Sequence, residues 1–170
     1  MQSPADFRYA EDLIGSIRRH APALCIGAAC YPEGHIGCED ERLNLDYLRR
    51  KQDAGADFLV SPLFFDNNPF FRFLDSARAA GIDLPISAGV MPILSRSQIE
   101  RMIFLCGASL PSRIIKLLHR HQHSPQDLRK AGIEYACEQA RELSEQGVDG
   151  VHIYTMNHPD IAASCAASVR

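Results

Sequence analysis

At residues 57–64 the chain reads DFLVSPLF, a short and almost continuous apolar run. The run follows a segment with helical spacing at 42–54, which Gly55 ends, and it precedes a second helical segment at 69–80, which Gly81 ends. Strands that alternate with helices of this length form a parallel sheet with right-handed crossovers. The run lacks strict apolar–polar alternation, as is typical of strands buried on both faces. We therefore predict an α/β fold built around this strand.

The same alternation of short apolar runs and helical segments extends over the whole chain. Three further strands are predicted at 23–29, 84–90 and 150–155. Further helices are predicted at 10–19, 95–106, 111–121, 124–146 and 159–169. No linker, internal repeat or low-complexity segment divides the chain, so we predict a single domain over residues 1–170. Four strands amount to about half of a (β/α)8 barrel, which typically needs about 250 residues.

The composition is that of a globular protein and excludes several function classes. The chain carries 18 Lys+Arg against 21 Asp+Glu, a formal charge of −3, whereas nucleic-acid-binding domains usually carry a basic surplus. No apolar run approaches the ~20 residues of a membrane span, and residues 1–9 hold no apolar signal core. We expect a cytoplasmic protein that binds neither nucleic acid nor a membrane.

The six cysteines and a histidine cluster form no recognisable disulfide or metal motif. No two of the cysteines make a CxxC pair, and several lie in apolar stretches, so we expect free thiols in a reducing compartment. His119, His121 and His123 have no cysteine or acidic partner that would complete a zinc signature. An exposed loop or helix end is therefore favoured there over a metal site. Glycine-rich nucleotide loops and the GxSxG esterase motif are also absent.

Polar residues and strand-ending residues collect directly after each predicted strand. They read YPEGH at 31–35, FDN at 65–67, MP at 91–92 and YTMNH at 154–158. The carboxyl ends of parallel strands meet at one rim of the sheet, where ligand sites form. We interpret the four clusters as a ligand site at this rim. The alternative is that proline, glycine and asparagine there only end the strands.

Three polar residues share one face of the predicted helix at 42–54. Asn44, Tyr47 and Lys51 recur at i, i+3 and i+7. A cation with polar partners on one face could hold a phosphate or a ribose. The spacing alone favours the other interpretation, a solvated outer face.

Five ordered segments of the chain resemble the methylenetetrahydrofolate reductase family. They read ACYPEGH at 29–35, KQDAGADF at 51–58, LFFD at 63–66, GVMPI at 89–93 and HIYTMN at 152–157. The resemblance extends from about Phe7 to the end of the chain, and it matches only the later half of the family's (β/α)8 barrel. It therefore implies a partial barrel of about four parallel strands with flanking helices.

The resemblance implies a flavoprotein oxidoreductase of one-carbon metabolism and methionine biosynthesis. Members of this family bind FAD and pass a hydride from NAD(P)H through the flavin to 5,10-methylenetetrahydrofolate, giving 5-methyltetrahydrofolate. By resemblance, the cofactor-binding residues are Tyr9, Ala10, Ala29, Tyr31, His35, Asn44, Tyr47, Arg50 and Lys51. The folate would be bordered by Pro62, Gln98, Met102 and His158.

Three of these positions depart from the residue that is usual in the family. Pro62 replaces a glutamine whose amide bonds the folate or nicotinamide ring, and a proline side chain offers neither donor nor acceptor. Asn44 stands where the family tends to have aspartate, and His158 where some members have arginine. The family's catalytic glutamate and its flavin-tuning aspartate belong to the first half of the barrel, so no catalytic residue is assigned here.

Two hypotheses follow, and both treat the chain as the C-terminal half of such a barrel. In the first, the chain is a truncated reductase that binds folate and takes electrons from NAD(P)H or another donor. It is inactive alone and is completed by a complementing N-terminal chain or by forming a homo-oligomer. In the second, it is a non-catalytic remnant or binding subunit that uses the half-barrel as an interaction surface. A different barrel enzyme with a similar rim is a third, weaker alternative.

The edges of the predicted sheet support the expectation of a partner. Half a barrel leaves the strands at 23–29 and 150–155 unpaired on their outer sides, and open apolar edges are templates for pairing. We therefore expect the isolated chain to self-associate, to pair with another chain, or to be poorly stable.

Overall fold

A computed structural model describes residues 7–38 and 40–169 of the chain. Four strands form one parallel sheet in the order β1-β2-β3-β4, namely β1 (Gly27–Ala29), β2 (Phe58–Leu63), β3 (Ile86–Val90) and β4 (Gly150–Ile153). The helices are α1 (Ala10–His20), α2 (Glu41–Asp53), α3 (Asn67–Ala79), α4 (Arg96–Cys106), α5 (Ser112–Arg120), α6 (Pro125–Glu145) and α7 (Pro159–Ser168). This arrangement confirms the predicted α/β fold, a partial (β/α)8 barrel of four parallel strands with flanking helices.

The first strand is shorter than the predicted segment at 23–29. Residues 22–24 form a turn, and Leu24 is exposed. The carbonyls of Pro22 and Leu24 accept hydrogen bonds from Arg18 Nη1 at 2.9 and 3.0 Å instead of bonds from a neighbouring strand. The apolar run therefore becomes a strand only from Gly27 onward.

The main hydrophobic core lies between one face of the sheet and the helices α2, α3, α6 and α7. The strands contribute Leu59, Ile86, Ala88 and Val90, all fully buried. Burying one leucine, isoleucine or valine side chain contributes about 1.5–3 kcal/mol. A second cluster, which includes the fully buried Ile93, Ile99 and Ile114, packs against α4 and α5. The core therefore holds the helices on one side of the sheet.

The other face of the sheet is not covered by helices within the described residues. Gly27, Ala29 and His152 are exposed there, while Phe58 and Val60 are half-buried. A shallow groove of about 440 Å³ runs along this face, and Pro62 and Tyr154 also line it. In a complete barrel this face would be the interior.

The amino end of β1 is fastened to β2 by an arginine and an aspartate. Arg18, near the end of α1, donates from Nη2 to Asp57 Oδ2 at 2.7 Å. The same carboxylate oxygen accepts the main-chain N–H of Ile26 at 2.7 Å. One side chain thus links α1, the residue before β1 and the residue before β2.

The second pair of strands repeats this arrangement. Arg78, near the end of α3, donates from Nη2 to Asp149 Oδ2 at 2.7 Å, and that oxygen accepts the N–H of Ile86 at 2.8 Å. Arg78 also donates to the Leu84 carbonyl at 3.0 Å. In both cases the isoleucine follows the arginine by eight residues and lies directly before its strand or is the strand's first residue. The aspartate directly precedes the neighbouring strand in both cases. We call the two arrangements the Arg–Asp clamps.

The cysteines and histidines singled out above lie within the described residues. All six cysteines are free thiols, although the Cys137 and Cys165 sulfurs are 3.5 Å apart. His119 lies exposed in the last turn of α5, and His121 ends that helix. The described ranges contain no cluster of three or more His, Cys, Asp or Glu side chains suited to a metal ion, and no helix long and apolar enough to cross a membrane.

Candidate functional site

A cavity of about 390 Å³ opens between the start of α1, the loop after β1 and one face of α2. We call it the α2 cavity. Seven of the nine residues that the resemblance assigned to the cofactor line it: Tyr9, Ala10, Tyr31, His35, Asn44, Tyr47 and Lys51. These residues come from three separate stretches of the sequence, and the fold brings them together around one space.

Lys51 is the buried cation of this cavity. Its side chain is only 9% exposed, and Nζ donates to the Ala29 carbonyl at 2.8 Å. The ammonium nitrogen also lies 5.6 Å from the centre of the Tyr31 ring. Burial lowers the pKa of Lys51, and this effect is partly opposed by Cys30 and Glu11. The alternative interpretation of this helix face as a solvated surface is therefore wrong.

Aromatic side chains form two walls of the α2 cavity. Tyr9 and Tyr47 stack with their ring centres 6.3 Å apart and their planes 23° from parallel. Tyr31 and His35 meet edge to face at 4.7 Å. Flat, partly exposed rings of this kind offer faces on which a planar heterocycle can pack.

Asn44 holds the loop that closes the cavity. Its Nδ2 donates to the carbonyls of Cys38 and Asp40 at 3.1 and 3.0 Å, and its Oδ1 accepts the His35 N–H at 3.3 Å. The Asp40 side chain in turn caps α2 by accepting the N–H groups of Arg42 and Leu43. The oxygen of the Asn44 side chain therefore fixes the position of His35. The amide nitrogen of Asn44 already donates to two main-chain carbonyls of the loop.

Two of the predicted cofactor residues lie beside the cavity rather than in its wall. The Ala29 carbonyl binds Lys51, but the residue itself lines the groove on the uncovered face of the sheet. Arg50 points away, with Nη1 3.5 Å from Glu11 Oε1 and its guanidinium 5.6 Å from the Tyr47 ring centre. Arg50 thus contacts Glu11 and Tyr47, two residues of the cavity wall, without lining the cavity itself.

The predicted folate-side residue Pro62 lines the groove next to Tyr154. The Tyr154 hydroxyl donates to the Ser61 carbonyl at 2.9 Å, and Ser61 Oγ accepts the Gly89 N–H at 2.8 Å. Burial is the main reason why the pKa of Tyr154 is raised. The groove therefore has an apolar floor, and two phenols line it, Tyr31 and the hydrogen-bonded Tyr154.

The other three predicted folate-side residues lie outside both spaces. Gln98 Oε1 accepts the Leu94 N–H at 2.7 Å near the start of α4, and Met102 packs into the second core cluster. His158 is exposed and precedes α7. The structure brings none of the three into the wall of the α2 cavity.

The loop that carries His158 has an unusual backbone. Met156 and Asn157 have φ angles of 51° and 65°, a left-handed conformation that residues other than glycine rarely adopt. Such conformations cost about 1–3 kcal/mol each and cluster at functional sites. This loop follows β4 at the carboxyl rim, where the sequence predicted a ligand site.

Sequence reasoning missed six residues of the α2 cavity. They are Arg8, Glu11, Gly37, Cys38, Leu43 and Leu48. Leu48 follows Asn44 by four residues and precedes Lys51 by three, so helical spacing could have identified it. Gly37 and Cys38 lie in an irregular loop, where spacing carries no signal.

Residues 1–169 match the family described as methylenetetrahydrofolate reductase. The chain is 36% identical over 157 residues to methylenetetrahydrofolate reductase 1 of Schizosaccharomyces pombe, covering 92% of this chain and 26% of the relative. It is 31% identical over 167 residues to methylenetetrahydrofolate reductase (NADH) 1 of Arabidopsis thaliana, covering 92% and 28%. The chain thus spans about a quarter of the length of these relatives.

A solved structure shares the fold. It is that of an uncharacterized protein from Clostridium thermocellum that binds two copies of 5-methyl-5,6,7,8-tetrahydrofolic acid. The TM-score is 0.65, and the match covers 98% of this chain and 59% of that one. At 18% sequence identity, the likeness describes the architecture alone.

Proposed function

Because the chain belongs to the methylenetetrahydrofolate reductase family, we propose that it takes part in the flavin-dependent reduction of 5,10-methylenetetrahydrofolate to 5-methyltetrahydrofolate. The observation that carries this proposal is the α2 cavity, around which seven of the expected cofactor residues converge. The chain spans about a quarter of its relatives' length, so we propose the activity for this half-barrel together with the rest of such a barrel.

The residues of the α2 cavity suit FAD. The Lys51 ammonium has three donors, and its bond to the Ala29 carbonyl leaves two for a phosphate oxygen. An anion beside it would also offset the burial that lowers the pKa of Lys51. Tyr9 and Tyr47 offer stacked ring faces for a planar group. Bound FAD would supply the hydride chemistry, while these side chains hold and orient it.

The uncovered face of the sheet is the proposed folate side. The groove lies next to the α2 cavity, and the two share Tyr31. Pro62 offers only apolar contact there, so the hydroxyl groups of Tyr154 and Tyr31 are the polar side-chain groups of the groove that can orient a ring. The fold neighbour from C. thermocellum is described as binding a reduced folate, which supports a folate as the ligand class. We propose NADH or NADPH as the electron donor, since one relative is named for NADH.

A non-catalytic binding subunit is the second candidate function. Pro62 favours it, because a groove without a side-chain amide has lost the usual donor and acceptor for the reacting ring. The two candidates differ in one measurable respect. If flavin is bound and the complementing N-terminal half of such a barrel is present, only the reductase predicts that chemically reduced flavin is reoxidised when 5,10-methylenetetrahydrofolate is added.

The first experiment is the visible absorption spectrum of the purified chain, recorded alone and after adding FAD and desalting. We expect flavin bands that remain near one equivalent per chain. A colourless protein would contradict the proposal that this half-barrel holds FAD by itself. Retained flavin that the folate does not reoxidise even when the complementing N-terminal half is present would favour the binding subunit.

A matched pair of lysine variants assigns the flavin to the α2 cavity. Lys51→Ala should weaken FAD binding by about 1–3 kcal/mol, the range for a charge-assisted hydrogen bond. Lys116→Ala removes the same charge from an exposed position on α5 and should leave FAD binding unchanged. Circular dichroism checks that both variants are folded. Equal FAD affinity in Lys51→Ala and wild type would rule out the role given to Lys51.

A further inference from the structure

Two cysteines that are distant in the sequence meet where α6 packs against α7. Cys137 lies in α6 and Cys165 in α7, and their Sγ atoms are 3.5 Å apart, within hydrogen-bond distance for sulfur. Neither residue lines the α2 cavity or the groove on the uncovered face of the sheet. We call these two residues the thiol pair, and the proposed flavin and folate sites make no use of it.

The packing of α6 against α7 holds the thiol pair in place. Near the start of both helices, Arg129 Nη2 donates to Asp160 Oδ2 at 2.7 Å. The thiol pair follows this contact by eight residues on α6 and by five on α7, so the two helices run side by side in the same direction. Cys165 belongs to the main core with Ala136 and Ile161, and Cys137 packs against that core. The contact between the two sulfurs is therefore part of the helix interface.

The separation of the two sulfurs suits disulfide formation. A disulfide bond is about 2.05 Å long, so the sulfurs need to approach each other by about 1.5 Å. Rotation of the two side chains about their Cα–Cβ bonds supplies a movement of this size while the helices stay packed. The alternative is that both thiols serve only as small apolar side chains of the core.

The two thiols differ in their access to solvent. Cys165 is fully buried, whereas Cys137 is partly exposed. Burial, followed by the neighbouring Cys137, raises the pKa of Cys165, so this thiol stays protonated and is a poor first nucleophile. A small oxidant therefore reaches Cys137 first, and Cys165 lies beside the product.

We propose that a hydroperoxide converts the thiol pair into a reversible disulfide that fastens α7 to α6. In the first step the Cys137 sulfur attacks one peroxide oxygen, the O–O bond breaks, and Cys137 becomes a sulfenic acid. In the second step the Cys165 sulfur attacks the Cys137 sulfur, the S–O bond breaks, and the hydroxyl leaves as water with the Cys165 proton. With hydrogen peroxide, two thiols and one peroxide give one disulfide and two waters, so the sulfurs are oxidised and the peroxide oxygens are reduced.

The disulfide acts on the helix that follows an open edge of the sheet. Strand β4 is the last strand of the sheet, and α7 follows it after the left-handed loop at Met156 and Asn157. In the unfolded chain the disulfide would close a loop over residues 138–164, which removes conformations and so stabilises the folded state. The oxidised chain should therefore be more stable than the reduced chain. This proposal goes beyond the proposed function and does not depend on bound flavin or folate.

The test is treatment of the purified, reduced chain with hydrogen peroxide, followed by alkylation with N-ethylmaleimide in denaturant, tryptic digestion and mass spectrometry. Each tryptic peptide 131–141 and 142–170 contains one member of the thiol pair and no other cysteine. We expect these two peptides to be joined by a bond that dithiothreitol cleaves. The melting temperature should rise by about 5 °C or more on oxidation and return to its first value on reduction.

Two serine variants separate the thiol pair from the other cysteines. Cys137→Ser keeps a small side chain at a partly exposed position and should abolish both the link and the rise in melting temperature. Cys25→Ser removes an exposed thiol outside the pair and should change neither. Circular dichroism checks that both variants are folded.

Four outcomes would overturn the proposal. The first is that the two peptides are not linked in the folded chain, for example because Cys137 is oxidised further to a sulfinic acid. The second is that a chain unfolded in urea forms the link as efficiently, since the fold would then not direct the pairing. The third is a linked chain whose melting temperature does not rise, and the fourth is an equal rise in Cys137→Ser.

Discussion

Asp57 joins three parts of the fold through a single carboxylate oxygen. That oxygen accepts the Ile26 N–H and the Arg18 guanidinium, each at 2.7 Å. The bond from Ile26, followed by that from Arg18, lowers the pKa of Asp57 below its usual value of 3.8. The carboxylate therefore stabilises the fold in its charged form, above pH 3.8, and that contribution is lost as the pH falls through the folded-state pKa.

The variant Asp57→Asn should be less stable than the wild type at neutral pH, because it keeps an acceptor for Ile26 but loses the charge that Arg18 binds. The difference should shrink below pH 3.8, where the wild-type carboxyl takes up its proton. Urea unfolding at a series of pH values measures this difference in the free energy of unfolding. Asp75→Asn, at an exposed site on α3, is the control. If Asp57→Asn remained less stable than the wild type by the same amount down to the most acidic pH, this account would be contradicted.

Lys51 shows how far the site could be predicted from single residues. Its spacing from Asn44 and Tyr47 placed all three on one helical face, and the α2 cavity contains all three. Spacing could not tell that α1 and the loop after β1 cover this face, because burial depends on contacts between distant segments. The resemblance to a family supplied that information. It could not supply the bonds of Asn44, which depend on where the loop after β1 places the carbonyls of Cys38 and Asp40.

Helix α6 packs against the loop after β3 through a glycine. A Cβ atom added at Gly132 would lie 1.9 Å from the Ile93 carbonyl oxygen, far inside contact distance. The helix can therefore approach this loop only because residue 132 has no side chain. Since the loop begins at the carboxyl rim, this contact sets the distance between α6 and the rim of the sheet.

The substitution Gly132→Ala should destabilise the protein by about 1–3 kcal/mol, because overpacking against backbone outweighs the gain in helix propensity. Gly15→Ala in α1 is the matched control. The nearest atom to a Cβ there is 3.5 Å away, so the control should be stabilised by up to about 1 kcal/mol. Urea unfolding of both variants measures the two effects. If Gly132→Ala proved as stable as Gly15→Ala, the close approach would not exist in solution.

Most helices and strands could be predicted because the spacing of apolar residues and the residues that cap or end each element indicated the same boundaries. The predicted helices at 42–54 and 124–146 correspond to α2 and α6 with shifts of one residue at their ends. Asp40 and Ser124 cap these helices with side-chain acceptors, which is a local signal. The predicted strand at 23–29 was wrong for its first four residues, since β1 begins only at Gly27. Arg18, five residues before the predicted strand, donates hydrogen bonds to the carbonyls of Pro22 and Leu24, so that this segment turns instead of pairing.

At the scale of the whole molecule, the sheet ends in two open edges. The outer sides of β1 and β4 have no strand partner within the described residues. Between them the uncovered face exposes Gly27, Ala29 and His152. Backbone groups and apolar surface left open in this way favour pairing with another chain. We therefore expect the isolated chain to associate.

Analytical ultracentrifugation over a wide concentration range should show reversible association of the chain. His152→Glu places a charge on the uncovered face of every copy, and burying it would be costly, so this variant should associate less. Gln126→Glu adds the same charge to an exposed position on α6 and should associate like the wild type. A monodisperse, cooperatively melting wild-type monomer would contradict the expectation.

The Arg–Asp clamps also bear on the ancestry of the fold. One clamp fastens β1 to β2 and the other fastens β3 to β4, with the same interval of eight residues from arginine to isoleucine. A tandem duplication of an ancestral two-strand module would leave this arrangement, even where the intervening sequence has changed beyond recognition. With that origin, the amino rim would preserve what the two copies inherited in common. The carboxyl rim, with the α2 cavity in one pair of strands and the left-handed loop in the other, would show how they diverged.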